Sequence, residues 1–480
     1  MTEVESEADL FGEWPSTVAA ADAMFFKGEA NPRTRGTGHF IYVLDRVPEW
    51  DRFASVWDRA SRVVPPLYKR VVRPTGFGRL PRWEDDPDFD LSFHLRRMSV
   101  PSPGTLREVF DYAEVDGMTP HDPGRPLWQV TLLEGLEGDR AAVLMKFHHS
   151  WVDGNASTRL AMATYDSDRD GDLRRPTPQR PVSQTEDHST LGRLAESSRT
   201  VAKQGQVRAE RAARLAQRVA TDPTGLIRET AGVASSALRM VRQVPGSPSP
   251  LFGHRSPGSR FDVIDISFPS LKAATKPLGF TINDGYLAGV TGGLRLYHDR
   301  LGAAADTVPM GVPISTRTDG DRGLGNQASV TMFAAPIGIA DPVERMRALH
   351  DRIGSARSEP AMEALAGLAN ILVHLPDSLM EGPLMNLIRI DVAASQVRGL
   401  LDPTFLAGAQ IMRSYGFGPK VGLAAFIGMV THLDTCCVTI HSDPAAVTDP
   451  DLLVSCLRQG FDEVIAVGEP PISTARKSRS

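Results

Sequence analysis

Cysteine is scarce in this chain of 480 residues, which contains Cys436, Cys437 and Cys456. Three cysteines cannot make a disulfide framework in a chain of this length, and their spacing does not match a zinc site. The sequence therefore predicts neither a disulfide scaffold nor a thiolate metal centre. A reducing cytosol is the simplest compartment for such a chain.

An excess of basic charge and long apolar runs are lacking as well. The formal net charge is -5, so nothing in the composition favours nucleic-acid binding. The N-terminal segment, MTEVESEADLFGEW, is acidic and contains no recognisable signal peptide. The longest apolar stretches, VGLAAFIGMV among them, fall short of the ~18 residues that a membrane-spanning helix needs. Any membrane contact is therefore expected to be peripheral.

The chain is longer than one hydrophobic core usually supports, which favours two domains. Residues 1–166 and 260–480 each alternate strand-like and helical segments. Residues 167–259 instead begin with a Pro-rich polar stretch and continue into an Ala- and Arg-rich one. The sequence predicts an α/β (α+β) fold of two mixed subdomains joined by a long helical linker.

The predicted linker has two possible roles. Its first half combines an excess of arginine with apolar residues at helical spacing, a pattern typical of helices that lie on anionic lipid surfaces. A solvated connecting helix that packs along one apolar stripe has the same pattern. Both interpretations remain open from the sequence.

The stretch MKFHHSWVDG, residues 145–154, contains two adjacent histidines at the end of an apolar run of strand length. Neighbouring side chains on a strand point to opposite faces, so His148 and His149 cannot both face one substrate. The segment after them has a helix-forming composition, and Asp153 or Asn155 is suited to cap its first turn.

Three chemical interpretations of this stretch compete. Metal ligation is disfavoured, because the histidines end a strand and no Cys, His or Glu stands nearby at ligand spacing. A purely structural interpretation is a partly buried histidine followed by an Asp-Gly turn. In the catalytic interpretation, a neutral imidazole removes a proton from a hydroxyl or amine, Asp153 pairs with an arginine, and Gly154 leaves space beside the base. No Gly-x-Ser-x-Gly motif is present to support a serine hydrolase.

The same stretch resembles the His-His-x-x-x-Asp-Gly motif of CoA-dependent acyltransferases built like chloramphenicol acetyltransferase, a superfamily that includes the condensation domains of peptide synthetases. Further segments narrow the resemblance to the bacterial wax ester synthase/diacylglycerol acyltransferases and extend it over nearly the whole chain. These segments are PRWEDDPDFDLSFHLRR (81–97), RPLWQVTLLEGL (125–136), TINDGYLAGVTGGLRLY (281–297), VPISTRTDGDRGLGNQ (312–327) and DPVERMRALH (341–350).

The resemblance implies two chloramphenicol acetyltransferase-like subdomains with the active site in a tunnel between them. It implies direct transfer of the acyl group of a long-chain acyl-CoA, a co-substrate, to diacylglycerol or a fatty alcohol, with no cofactor and no metal. His149 is then the general base, His148 supports its loop, and Asp153 is structural. Gly154 then borders the acyl path.

Two further residues have both a structural and a functional interpretation. Asn283 and Asp284 stand at the predicted start of a helix, where they are suited to capping. The resemblance instead implies a position near the site, on the opposite domain. It also implies a cytoplasmic protein that associates peripherally with the inner membrane or lipid droplets.

The chain departs from the family pattern in two places. It has SQVRGL at residues 395–400 where members usually have Ser-Asn-Val-Pro-Gly-Pro, and Thr431-His432 where Ser-Tyr is usual. The acyl chain length, the preferred acceptor and the oligomeric state therefore stay open. So do two alternatives, a catalytically weak or silent homologue that binds lipid surfaces and an acyltransferase whose donor is bound to a carrier protein.

Overall fold

The computed structural model describes residues 14–73, 80–151, 160–178, 248–315, 328–357, 373 and 390–468. The strands in these ranges are β1 (Thr37–Leu44), β2 (Lys69–Val72), β3 (Arg82–Asp85), β4 (Leu95–Ser99), β5 (Trp128–Leu136), β6 (Arg140–His148), β7 (Arg260–Ser267), β8 (Thr307–Ser315), β9 (Ala328–Pro336), β10 (Val392–Val397), β11 (Phe405–Leu406), β12 (Ala409–Phe417), β13 (Ala425–His432) and β14 (Thr435–Ser442). The α-helices are α1 (Ala20–Lys27), α2 (Trp50–Val63), α3 (Pro65–Tyr68), α4 (Leu91–His94), α5 (Leu106–Met118), α6 (Gly171–Arg174), α7 (Phe268–Thr275), α8 (Ile282–Arg300), α9 (Pro342–Arg357) and α10 (Pro450–Ala466).

The first sheet has the strand order β11-β12-β1-β6-β5-β4. Strand β1 lies at its centre and pairs antiparallel with both β6 and β12. The apolar runs that form β1, β5 and β6 are buried on both faces, which explains why they read as continuous hydrophobic segments. Trp128, at the start of β5, is fully buried and donates its indole N–H to the Leu67 carbonyl at 2.9 Å.

The second sheet has the order β7-β14-β13-β10-β8-β9 and is covered by α8 and α10. Side chains cap the starts of its helices, as their sequences suggest. Asp341 accepts hydrogen bonds from Val343 N and Glu344 N at the start of α9. Asp449 accepts one from Leu452 N at the start of α10.

Strand β12 joins the two halves of the molecule. It lies within the predicted C-terminal subdomain, residues 260–480, yet it pairs with β1 in the first sheet, with Phe417 opposite His39. It also pairs with β11 in the first sheet and contacts the second sheet, where the Thr439 hydroxyl donates to the Gly416 carbonyl at 2.7 Å. The boundary predicted at residue 260 therefore does not separate the two sheets, because a strand from beyond it belongs to the first sheet.

A shared core fills the junction between the sheets. The Phe261 ring of β7 stacks on the Phe417 ring of β12 at 4.2 Å, and Phe110 of α5 packs edge-on against Phe417 at 5.8 Å. Arg107 of α5 donates to the Phe261 carbonyl at 2.7 Å. Apolar packing and backbone hydrogen bonds thus hold the halves together.

The predicted α/β class with two mixed subdomains is confirmed. Of the predicted linker, residues 179–247 lie outside the described residues, and so does the basic amphipathic segment. The described parts of the linker attach to different halves. Asp172 binds Arg52 Nε at 2.8 Å on the first half, and Ser249 N donates to Asp391 at 2.8 Å on the second. Within the described ranges, no helix has the length and apolar character required to cross a bilayer.

Helices α8 and α10 approach closely because glycines line their contact. A Cβ atom on Gly460 would lie 2.3 Å from Gly293 N and 2.4 Å from Gly289 O, both backbone atoms that cannot move aside independently. This crossing therefore requires glycine at position 460.

We predict that Gly460→Ala lowers the free energy of unfolding by about 1–3 kcal/mol, the usual range for overpacking a core. The matched control is Gly354→Ala in α9, where an added Cβ meets nothing within 4 Å. That change should raise the free energy by up to about 1 kcal/mol, because alanine favours a helix. Urea unfolding of both variants measures this difference, and equal effects would contradict the packing argument.

Candidate functional site

The histidine pair stands at the carboxyl end of β6, which ends at His148. The backbone N–H of His148 donates to the Leu127 carbonyl at 3.0 Å, just before β5 begins. The backbone N–H of His149 donates to the Gly36 carbonyl at 2.7 Å, just before β1 begins. The chain segments that lead into both neighbouring strands therefore fix the backbone of the pair.

Helix α1 supplies an aromatic ring to each histidine. The Phe26 ring stacks on His148, with centroids 4.5 Å apart and an interplanar angle of 17°. The Phe25 ring packs against His149 at 4.7 Å with a tilt of 37°. Each imidazole thus has one face against a hydrocarbon ring, which removes water from it.

His148 is buried and held by hydrogen bonds at both ring nitrogens. Nδ1 lies 2.7 Å from the Ser150 hydroxyl and accepts a hydrogen bond from Ser150 N at 3.3 Å. Because a backbone N–H only donates, the neutral ring carries its proton on Nε2, which faces Glu29 Oε2 at 3.3 Å. Both nitrogens are therefore engaged within the protein, which suits a supporting residue better than a base.

The same hydrogen bond affects Glu29. Burial raises the pKa of this carboxyl, but the hydrogen bond with His148, the charge of His148 and the Gly36 N–H outweigh it and lower the pKa below its ordinary value. Glu29 is therefore an anion beside His148 at neutral pH.

His149 differs from its neighbour, because it is partly exposed and less engaged. Its Nδ1 atom is buried and has no hydrogen-bond partner among the residues that the structure describes. Burial and then the charge of His148 lower the pKa of His149 from 6.5 to about 4, against the effect of its own backbone carbonyl. The imidazole is therefore neutral at physiological pH and able to accept a proton.

Asp153 and Gly154 lie outside the described residues, so the roles predicted for them stay predictions. The chain that leads toward them is well anchored. Trp151 is buried and donates its indole N–H to the Leu127 carbonyl at 3.2 Å.

Asn283 and Asp284 lie in the first turn of α8, in the second half of the molecule. Asp284 forms a capping box with Thr281, whose hydroxyl accepts from Asp284 N at 3.1 Å while Asp284 Oδ2 accepts from Thr281 N at 2.8 Å. The same oxygen lies 2.9 Å from His350 Nδ1 on α9. Asp284 thus helps to cap the helix as the partner of Thr281, which is the N-cap residue, and it also contacts His350; the position of Asn283 and Asp284 near the site stays a prediction.

The two departures from the family pattern lie on neighbouring parallel strands. Ser395–Val397 end β10, and Thr431 and His432 end β13. His432 is buried, and its Nε2 lies 2.9 Å from the Ile411 carbonyl of β12. This histidine thus ties the second sheet to the strand that joins the halves.

Sequence reasoning missed three residues of this site, Phe25, Glu29 and Gly36. They belong to α1 and to the connection between α1 and β1, a segment without a motif. Glu29 and His148 are separated by 119 positions, so only the fold brings them together. The aromatic pair Phe25-Phe26 was the one available signal.

Among the described residues, no three His, Cys, Asp or Glu side chains are arranged to hold a metal ion. The Ser150 hydroxyl and the Glu29 carboxylate instead bind His148, which precedes His149 in the chain. Such a set is able to position a neutral base and to accept or return a proton.

Two family models match the chain. The wax ester synthase/diacylglycerol acyltransferase catalytic domain matches residues 18–286, and the WS/DGAT C-terminal domain matches residues 324–464. The first match alone covers more than half of the chain and includes the histidine pair.

Similar proteins are known among both sequences and solved structures. A Mycobacterium tuberculosis protein named as a diacylglycerol O-acyltransferase is 40% identical over 452 residues, which cover 94% of this chain and 92% of that protein. A wax ester synthase/diacylglycerol acyltransferase from Marinobacter aquaeolei superimposes with a TM-score of 0.64 at 19% identity, over 95% of this chain and 100% of that one. The first condensation domain of the CDA synthetase gives a TM-score of 0.57 at 15% identity, over 95% and 97%. At these identities the two structures show the likeness of fold.

We predict that Phe25→Ala raises the pKa of His149 from about 4 toward its ordinary value of 6.5, because water then reaches the ring. The neutral form, present above the pKa, is then lost at a higher pH in the variant than in the wild type. NMR titration of ring-labelled histidine, with His149 assigned by substitution, measures the shift. Phe93→Ala is the matched control, since Phe93 packs edge-on against His94 at 5.2 Å. An unchanged pKa of His149 in Phe25→Ala would show that Phe25 does not keep water away from this ring.

Proposed function

The chain belongs to the wax ester synthase/diacylglycerol acyltransferase family, and on that basis we propose that it esterifies diacylglycerol or a long-chain fatty alcohol with the acyl group of a long-chain acyl-CoA. The products are triacylglycerol or wax ester. His149 is the general base, and no acyl-enzyme intermediate is required.

One observation carries this proposal: a neutral, partly exposed imidazole at a strand end, with its backbone fixed by the Gly36 carbonyl 2.7 Å away. A neutral imidazole is the form that accepts the proton of a hydroxyl group. The buried state of Nδ1 makes Nε2 the nitrogen that we assign to the reaction.

The reaction proceeds in two steps. His149 Nε2 takes the proton of the acceptor hydroxyl as its oxygen attacks the thioester carbonyl, which forms a tetrahedral oxyanion. The oxyanion then collapses, the C–S bond breaks, and the imidazolium returns the proton to the CoA thiolate. The low pKa of His149 favours this return, since burial makes its imidazolium a stronger acid than an ordinary imidazolium.

Positioning contributes the rest of the rate. General base catalysis typically supplies about 10²–10⁴-fold, and holding both substrates in line supplies a further large factor. We propose that acyl-CoA and the lipid acceptor meet at His149 in a passage between the two halves. Asn283 and Asp284 are proposed to border that passage on one side and Gly154 on the other.

We predict that His149→Ala reduces ester formation by at least about 100-fold while the protein remains folded, because the base is lost. The assay uses radiolabelled palmitoyl-CoA with diacylglycerol and hexadecanol as acceptors, followed by thin-layer chromatography. His254→Ala is the matched control, because His254 is exposed and its side chain takes no part in the site. Circular dichroism checks the fold of both variants.

The alternatives give different results in the same assay. Full ester formation by His149→Ala would contradict the role of His149 as the general base. A wild-type protein that binds lipid vesicles but makes no ester with either acceptor would identify a silent homologue. Faster transfer from an acyl-carrier protein than from acyl-CoA would identify the carrier-dependent alternative.

We further propose a cytoplasmic enzyme that contacts the inner membrane or lipid droplets peripherally, because both acceptor classes dissolve in lipid rather than in water. The connection after β10 supports this contact. Leu400 and Leu401 are exposed there, as are Arg398 and Val397, the last residue of β10. Exposed apolar side chains beside a cation suit the interface of an anionic bilayer.

We predict that the double change Leu400→Ser and Leu401→Ser weakens binding to phosphatidylglycerol-containing vesicles several-fold, because less apolar area is buried in the interface. Vesicle flotation measures the bound fraction. Leu278→Ser, at an isolated exposed leucine, is the matched control and should leave binding unchanged. Equal binding of wild type and double variant would exclude this connection as the lipid contact.

A further inference from the structure

The carboxylate of Glu29 has no part in the chemistry described so far, although it is largely buried beside the histidine pair. Its Oε2 atom accepts a hydrogen bond from Gly36 N at 3.1 Å and faces His148 Nε2 at 3.3 Å. The Gly36 carbonyl accepts from His149 N at 2.7 Å. Glu29, Gly36 and the two histidines thus form a closed ring of hydrogen bonds, called here the Glu29 ring.

We propose that Glu29 is a positioning residue for His149, because its carboxylate fixes both His148 and Gly36, the two groups that set the backbone of the base. This inference rests on the function proposed for His149 and deepens it. Glu29 itself touches neither substrate nor reacting atoms.

A carboxylate is well suited to this position. One of its oxygens carries two lone pairs and therefore accepts from the Gly36 N–H and the His148 Nε2–H at once. A hydrogen bond to an anion is roughly twice as strong as one between neutral groups. Glutamine keeps one acceptor oxygen but loses the charge. It should therefore bind Gly36 and His148 more weakly than glutamate does, whereas alanine would lose both contacts.

The connection between α1 and β1 gives the Glu29 ring a firm base. The Thr34 hydroxyl donates to the Gly28 carbonyl at 2.8 Å, and Thr34 N donates to the Asn31 carbonyl at 3.0 Å. These bonds close the connection on itself between Glu29 and Gly36. The carboxylate therefore acts from a preorganised turn rather than from a free side chain.

Close packing at Gly36 adds a second constraint. A Cβ atom at this position would lie 3.1 Å from His148 Nε2 and 3.1 Å from Phe25 Cβ. Neither neighbour moves easily, because the His148 ring is stacked on Phe26 and Phe25 is part of α1. Gly36→Ala should therefore strain this packing and shift either the Gly36 backbone or the His148 ring by a few tenths of an ångström, without removing any polar group of the Glu29 ring.

The test compares Glu29→Gln, Glu29→Ala and Gly36→Ala with wild type. We expect kcat per folded molecule to fall by about 10-fold for Gln and by up to about 100-fold for Ala, as for other misplaced catalytic groups, with KM for acyl-CoA changed by no more than about twofold. Gly36→Ala should also lower kcat. Glu134→Gln is the matched control, because it removes the charge of another partly buried glutamate, paired with Arg97 at 2.8 Å, and should leave kcat unchanged.

A second measurement does not depend on activity. The amide of His149 donates to Gly36, so its hydrogen exchange, followed by mass spectrometry on peptides spanning 146–150, should be faster in Glu29→Gln than in the Glu134→Gln control. An unchanged exchange rate at the His149 amide would show that Glu29 does not hold this backbone. It would overturn the proposal even if the wild-type protein proved inactive. Faster exchange with wild-type kcat would show that the Glu29 ring is structural only, which also overturns the proposal. A wild type without transfer activity but with the expected exchange pattern would instead refute the function proposed for His149.

Discussion

The pairing of β1 with two antiparallel neighbours is the constraint on which the rest of the structure depends. On one side, β1 aligns with β6, with Thr37 opposite His148, so the histidine pair and the connection that supports it arrive at the same sheet end. On the other side, β1 aligns with β12, which comes from the opposite half of the sequence. One strand therefore sets both the site and the join between the halves. A shift of register by one residue would reverse which of His148 and His149 is buried.

Much of the fold follows from local patterns. The continuous apolar runs of β5 and β6 predict buried strands, and Asp341 followed by proline predicts the start of α9, where its carboxylate indeed caps the helix. Family membership is readable from the motif around His149 and from its companion segments. These features are visible in the sequence because each depends on residues within a few positions of one another.

The remaining features depend on contacts between distant segments. Nothing local marks Glu29 as the partner of His148, and nothing in the sequence of β12 indicates that it leaves its own half to pair with β1. The depressed pKa of His149 likewise arises from burial and then from the charge of His148, and Phe25, which packs against the ring, is brought there only by the folded chain. Asp284 was open to two interpretations because a capping carboxylate and a site residue look alike in sequence; its bonds to Thr281 show the capping role, and the site role stays a prediction.

The join through β12 also determines how the protein can deform. Pairing runs from His39 to Leu44 on β1, while the opposite side of β12 is tied to the second sheet by Thr439 and His432. A swinging of the two halves about a hinge would break the hydrogen bonds of this ladder, so the ladder opposes a large opening between the halves. In the passage proposed between the halves, hydrocarbon tails would then enter through local movements of loops and side chains. Turnover of lipid substrates by that route would depend on small fluctuations of a stiff frame.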